Sequence, residues 1–264
     1  MLRVKNISVT FNPGTPIETR ALRGLDLSIA SGEFVTVIGS NGAGKSTLLN
    51  AISGELSADD GEIELDGVDI THQPSWGRAA AVARVFQDPM TGTCEALTIE
   101  ENMALAYARG RGRGFSAAIR TSLRAVFSEK LSTLGLGLEK RLTDRMGLLS
   151  GGQRQAVSLL MASLQPSKIL LLDEHTAALD PKTAAFVVDL TRKIVEGERL
   201  TTMMVTHSMK QALELGQRTV MLHQGKVVLD VSGRAREGLK VADLLRMFER
   251  VVGEAVTDDG LILN

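Results

Sequence analysis

The sequence predicts an α/β fold: a mainly parallel sheet covered by helices, with an N-terminal antiparallel β part and an inserted helical part. Three observations predict it. An apolar run enters a glycine loop at "GEFVTVIGSNGAGKS", residues 32–46. From about Asp88 to Ser167 apolar residues recur at helical spacing. After Pro166 short apolar runs and helical stretches alternate to residue 231, which implies parallel strands with crossover helices.

Taken in order, "RVKNISVTF" alternates, "NPGTP" breaks the pattern and "RALRGLDLSI" resumes it, so two short strands are expected around a turn. "GEFVTVIGS" is a buried strand, and "KSTLLNAISG" a helix closed by Gly54. "GEIELDGVDI" is a hairpin and "AVARVFQ" a further buried strand. "TIEENMALAYARG" has an acidic first turn, and "FSAAIRTSLRAVFSEKLSTLG" and "SGGQRQAVSLLMASLQP" continue the helical region. "KILLLDE", "PKTAAFVVDLTRKIVEG", "LTTMMVTH", "SMKQALELG" and "RTVMLHQGKVVLDV" then alternate strand and helix. The expected division is a nucleotide-binding core at 1–87 and 166–231, a helical insert at 88–165 and a helical tail at 232–264. The tail holds the amphipathic "VADLLRMFERVV". No internal repeat is visible.

Length and composition suit this reading. A chain of 264 residues accommodates one large α/β domain with a subdomain. With 44% hydrophobic residues, 23% charged and a net charge of −1, it is ordinary globular material. Nucleic-acid binders usually combine a basic excess with aromatic stacking residues, and aromatics here are 3%, so no nucleic acid is expected. The longest strongly apolar runs, such as "ILLL" at 169–172, are strand-sized rather than membrane-sized. "MLRVKNISVTF" lacks an apolar core of signal-peptide length, so no export is expected. The single Cys94 excludes an internal disulfide framework and fits a reducing compartment. "RGRGRG" at 109–114 could touch RNA or anionic lipid, but three arginines between glycines favour a solvated loop.

The chemistry starts at "GSNGAGKST". Gly39, Ser40, Asn41, Gly42, Ala43, Gly44, Lys45 and Ser46 match G-x-x-x-x-G-K-[ST] in full, and Thr47 follows. Such glycines let backbone N–H groups turn inward around phosphate oxygens, and the following helix adds the positive end of its dipole. Lys45 is expected to reach the β- and γ-phosphates, and the Ser46 hydroxyl to ligate Mg²⁺. A chain of this length meets the pattern by accident on the order of once in a hundred. The strand before it and the helix after it remove that reading.

"KILLLDEH" delivers Asp173 and Glu174 to a strand end, where ligands of open α/β sheets sit. Asp173 can hold Mg²⁺ directly or through water, and Glu174 can polarise an attacking water. Alone, such a pair is often a solvated turn; with a phosphate loop in the chain the catalytic reading prevails. "LTTMMVTHS" brings His207 to another strand end, from which an imidazole can contact the γ-phosphate and the water. His72 and His223 read as structural, and the neighbours of His175 give it no chemical task.

A second glycine turn, "LSGGQ" at 149–153, has no nucleophile, metal cluster or base beside it. With it the order becomes specific: phosphate loop, Gln87 after a strand, "LSGGQ", "LLLDE" at 170–174, "ALD" at 178–180, then His207. In this order the chain resembles the ATP-binding subunit of ABC transporters over about residues 2–231. The resemblance implies a P-loop NTPase with a RecA-like core, binding ATP and Mg²⁺ and releasing ADP. It implies that Ser150, Gly151, Gly152 and Gln153 serve the ATP held by a second copy of the chain in a head-to-tail dimer; a Ser N-cap followed by glycines is the plainer alternative. Gln87 would touch Mg²⁺ and water while its loop senses the membrane subunit, and Asp180 would lie in the loop crossing the dimer interface. Phe11 stands where an aromatic ring stacks on adenine, usually Tyr; a core phenylalanine on an edge strand is the alternative.

Many members of that family have Pro where this chain has His175 and Ser where it has Ala177. "DEHTAALDPKTAA", "FNPGT" and "VFQDPMTGT" resemble a bacterial importer subgroup associated with tryptophan- or tyrosine-like substrates. That implies a place on the cytoplasmic face of the inner membrane, an integral membrane permease and an extracytoplasmic substrate-binding protein. The alternative function is a soluble ABC-type ATPase acting on the ribosome, nucleic acid or iron–sulfur assembly. The single cassette, with no coiled-coil insert, speaks against the ribosome and nucleic-acid types, and the "LSGGQ" signature against the iron–sulfur type.

Overall fold

A computed structural model describes residues 1–111 and 121–252. The elements run β1 (Leu2–Phe11), β2 (Thr19–Ile29), β3 (Phe34–Gly39), α1 (Lys45–Ser53), β4 (Asp60–Leu65), β5 (Val68–Asp69) and α2 (Ser75–Arg78). Next come β6 (Val82–Val85), α3 (Ile99–Tyr107), α4 (Thr121–Ser132), α5 (Gly151–Ser163), β7 (Ile169–Asp173) and α6 (Pro181–Glu198). The chain ends with β8 (Thr202–Val205), α7 (Met209–Glu214), β9 (Arg218–His223), β10 (Lys226–Ser232) and α8 (Val241–Val252). The expected helix over 115–135 is seen from Thr121; its first residues, part of the Arg-Gly stretch and the tail beyond 252 lie outside the described residues. Two compact units result, 1–78 with 199–264, and 79–198.

The first unit holds the antiparallel sheet β2-β1-β4-β5. In β1, Leu2 and Val4 are buried while Arg3 and Lys5 are exposed, the alternation of a strand with one dry face. β3 differs: all six residues are buried, as a strand covered on both faces requires. It pairs in parallel with β8 and β9, and β9 turns back antiparallel into β10. α1 ends at Gly54, whose φ of 78° turns the chain out of the helix while its N–H reaches the Asn50 carbonyl. Buried Arg78 donates to the Ala51 and Ile52 carbonyls at 2.6 and 2.8 Å, satisfying acceptors that a helix end leaves open. Leu244 and Phe248 of α8 close a core with Ile38, Met209 and Met221. The amphipathic tail helix therefore covers apolar surface of its own unit.

The second unit carries the parallel pair β6 and β7, with Val82 opposite Ile169 and Val85 opposite Leu172. α3 starts at a capping box: Thr98 accepts from the Glu101 N–H and Glu101 accepts from the Thr98 N–H. Phe127 of α4 is fully buried and meets Tyr107 edge to face at 5.9 Å. Arg109 is drawn in rather than solvated, donating to the Ala162 and Gln165 carbonyls where α5 ends. Arg111 stacks over Tyr107 at 4.3 Å.

Candidate nucleotide-binding and hydrolysis site

The phosphate loop is built by backbone constraint. Gly44 caps α1 at φ 102°, and a Cβ there would stand 2.6 Å from the Ala21 carbonyl oxygen. A Cβ on Gly39 would stand 2.3 Å from the Leu222 carbonyl oxygen. Both positions therefore demand glycine for space as well as for conformation. Lys45 is buried to 5% exposure and donates to the carbonyls of Gly39, at 2.7 Å, and Ser40, at 3.0 Å. Its ammonium is thereby held inside the loop. Ser46 and Asn41 are exposed, Ser40 and Thr47 half-buried. Phe11 is 40% exposed at the end of β1, opposite Thr19, so the core-phenylalanine alternative fails. His207 follows β8 in a tight turn: the Thr206 N–H donates to the Val37 carbonyl, and Ser208 caps α7 by accepting from the Gln211 N–H.

The second unit carries the acidic strand end. Asp173 terminates β7 and accepts from Arg84 of β6 at 2.6 Å. Glu174 is nearly buried and stands at φ 44°, a left-handed backbone that costs a residue with a Cβ about 1–2 kcal/mol. The next residue, His175, is fully enclosed, and burial pushes its imidazole down to a pKa of about 4. Gln87 is exposed just beyond β6.

The "LSGGQ" turn opens α5. Ser150 is its N-cap, accepting from the Gln153 N–H at 3.3 Å, while the Gln153 side chain accepts from the Ser150 N–H at 3.1 Å. The plainer reading of this turn is therefore realised: Ser150 does cap its helix. Ser150 and Gly151 are nevertheless exposed, at a helix N-terminus where donors and dipole favour an anion. The turn is braced from behind by buried Arg154, which pairs with Glu95 at 2.8 Å and donates to the Gly147 carbonyl. Gly152 faces α6 so closely that a Cβ would stand 2.0 Å from the Thr183 methyl. Asp180 caps α6 by accepting from the Thr183 N–H, and hydrogen bonds from the Thr183 side chain and backbone hold its carboxyl below the usual range. The signature turn and the Asp180 turn are thus packed together through Thr183. Arg84 and Arg154 were missed from sequence; a signal was available for Arg84 alone, a lone arginine inside the apolar run "AVARVF".

A family model described as "ABC transporter" matches residues 22–177. The chain belongs to the ABC transporter family. It is an ATP-binding cassette whose ATPase activity is coupled to transport. It is 47% identical over 254 residues to a tyrosine transport ATP-binding protein of Clostridioides difficile, covering 96% of this chain and all of that one. A thiamine import ATP-binding protein of Brucella suis is 35% identical, with 82% of this chain and 84% of that one covered. Among solved structures, the dimeric ABC transporter cassette MJ0796 superposes with a TM-score of 0.74 at 30% identity, over 88% of this chain and 98% of that one. The ADP form of the cassette MJ1267, at 24% identity and TM-score 0.77, shares the P-loop NTPase fold over 96% of this chain and 99% of that one. Among the described residues no helix is long and apolar enough to cross a membrane.

Proposed function

We propose that this ABC cassette powers a bacterial importer of an aromatic amino acid, working as a dimer on the cytoplasmic face of the membrane beside a permease and an extracytoplasmic binding protein. The tyrosine transport relative, matched over its whole length, supports the substrate class. Residues 1–87 and 166–231 form the ATP-binding core of this reading, 88–165 the inserted helical subdomain and 232–264 the tail. The observation that carries the reading is the α5 N-terminus, where Ser150 and Gly151 stay exposed although Ser150 has satisfied its own helix. A capped but uncovered helix start is what a phosphate from a second protomer requires.

In that dimer the loop of Gly39 to Ser46 wraps the phosphates of ATP, Lys45 turns from the Gly39 and Ser40 carbonyls to phosphate oxygens, and Phe11 stacks on the adenine. Thr47 continues the first turn of α1 beneath the phosphates. Ser46, Gln87 and Asp173 offer one hydroxyl, one carboxamide and one carboxylate, the hard oxygen donors that suit Mg²⁺ alongside phosphates and water. Mg²⁺, when bound, neutralises charge on the phosphate oxygens. Glu174 accepts a hydrogen bond from the attacking water, and His207 orients the γ-phosphate end of the site. Ser150, Gly151, Gly152 and Gln153 close the site from the second protomer, with Asp180 beside them.

Reconstitution with the membrane subunit in proteoliposomes tests this. ATP-driven uptake of tyrosine or tryptophan, lost with Glu174→Gln, is the expected result. Copurification with ribosomes or nucleic acid, in place of a polytopic membrane protein, would overturn it.

A further inference from the structure

We propose that Arg84 sets the strength with which Asp173 binds Mg²⁺, making the strand end a weak metal ligand until nucleotide arrives. The proposal rests on reading Asp173 as a metal-holding residue. In the parallel register Arg84 lies opposite Leu171, so its side chain shares the sheet face of Asp173, two residues further along β7. Arg84 Nη2 reaches Asp173 Oδ2 at 2.6 Å, with the two side chains 10% and 13% exposed. The guanidinium also lies over the Phe86 ring, 4.7 Å from its centroid and two residues further along the chain.

This arrangement has two opposite effects. The guanidinium fixes the carboxylate through Oδ2, which orders it as a ligand. Its positive charge also repels a dication from the same carboxylate, and in a site this dry the repulsion is poorly screened. Charge acts on every metal-bound geometry, whereas orientation removes only side-chain freedom, so repulsion prevails. Arg84 would thus compete with Mg²⁺ for the Asp173 carboxylate, and the phosphate oxygens of a nucleotide would supply the remaining hard donors.

The test is calorimetric binding of adenylyl imidodiphosphate, a non-hydrolysable ATP analogue, to the full chain across a series of Mg²⁺ concentrations. Arg84→Gln should lower the Mg²⁺ concentration for half-maximal binding about ten-fold, while Arg84→Lys, which keeps the charge, stays within about two-fold of wild type. Should Arg84→Gln fail to fold, Arg84→Met removes the charge while keeping an apolar stem over Phe86. Asp173→Asn should raise the midpoint sharply. An unshifted midpoint in the neutral variants, or an equal shift in Arg84→Lys, overturns the role of Arg84 when Asp173→Asn behaves as expected. An unshifted Asp173→Asn instead overturns the metal reading itself.

Discussion

His175 Nε2 lies 2.8 Å from Thr191 Oγ1, and Thr191 in turn donates to the Val187 carbonyl at 2.8 Å. Because the hydroxyl proton is engaged by Val187, the imidazole must donate, which fixes the neutral tautomer with its proton on Nε2. The residue after Glu174 is thereby tied to the middle of α6.

An acid sensitivity follows. Burial lowers the folded-state pKa of His175 from 6.5 to about 4, so the unfolded chain binds the proton more tightly. The stability is present in full above the unfolded value and is lost as pH falls from 6.5 towards 4, amounting to about 3 kcal/mol by the lower limit. Urea unfolding at pH 7 and pH 4.5 measures it. His175→Gln should cost stability at pH 7 yet lose less than wild type between the two; an identical loss would remove His175 as the cause.

Gly152 and Thr183 form a second coupled pair. A Cβ on Gly152 would stand 2.0 Å from the Thr183 methyl, so Gly152→Ala should cost about 1–3 kcal/mol by overpacking. Thr183→Ser removes that methyl and should recover more than half of the loss in the double variant. Simple additivity in a double-mutant cycle would show that the clash relaxes elsewhere.

Glu174, the residue proposed to polarise the attacking water, has a left-handed backbone. Glu174→Gln should retain ATP, stop turnover and accumulate a nucleotide-bound dimer, seen by size-exclusion chromatography. Among inactive truncations, Glu174→Gly should be more stable than Glu174→Ala by about 1 kcal/mol, because glycine adopts positive φ without strain. Equal unfolding midpoints for the two would place the strain elsewhere.

The shared-site reading is tested by mixing variants. Lys45→Ala homodimers and Ser150→Arg homodimers each carry two damaged sites. In a mixed dimer both defects fall in one site, so trapping of labelled nucleotide with a transition-state mimic should return at one site per dimer. If each chain used its own signature turn, mixed dimers confirmed by mass would trap no more than either homodimer.

The phosphate loop, the acidic strand end, the signature and their order were legible because each is local. A glycine spacing, a strand running into "DE" or a Ser-Gly-Gly-Gln capping box needs only near neighbours to define its backbone. The helix boundaries at Gly54, Thr98 and Ser150 were readable for the same reason. Of the two readings of Phe11, exposure removed the core one, which a strand pattern leaves undecided at a strand's last residue. What folding alone decided were the partners: Arg84 on Asp173 across 89 residues, Arg154 on Glu95 across 59, His175 on Thr191 along α6. Each partner set follows from which strands lie side by side and which helix face turns inward, so the charge that tunes Asp173 and the tether beside Glu174 exist only once distant segments have packed.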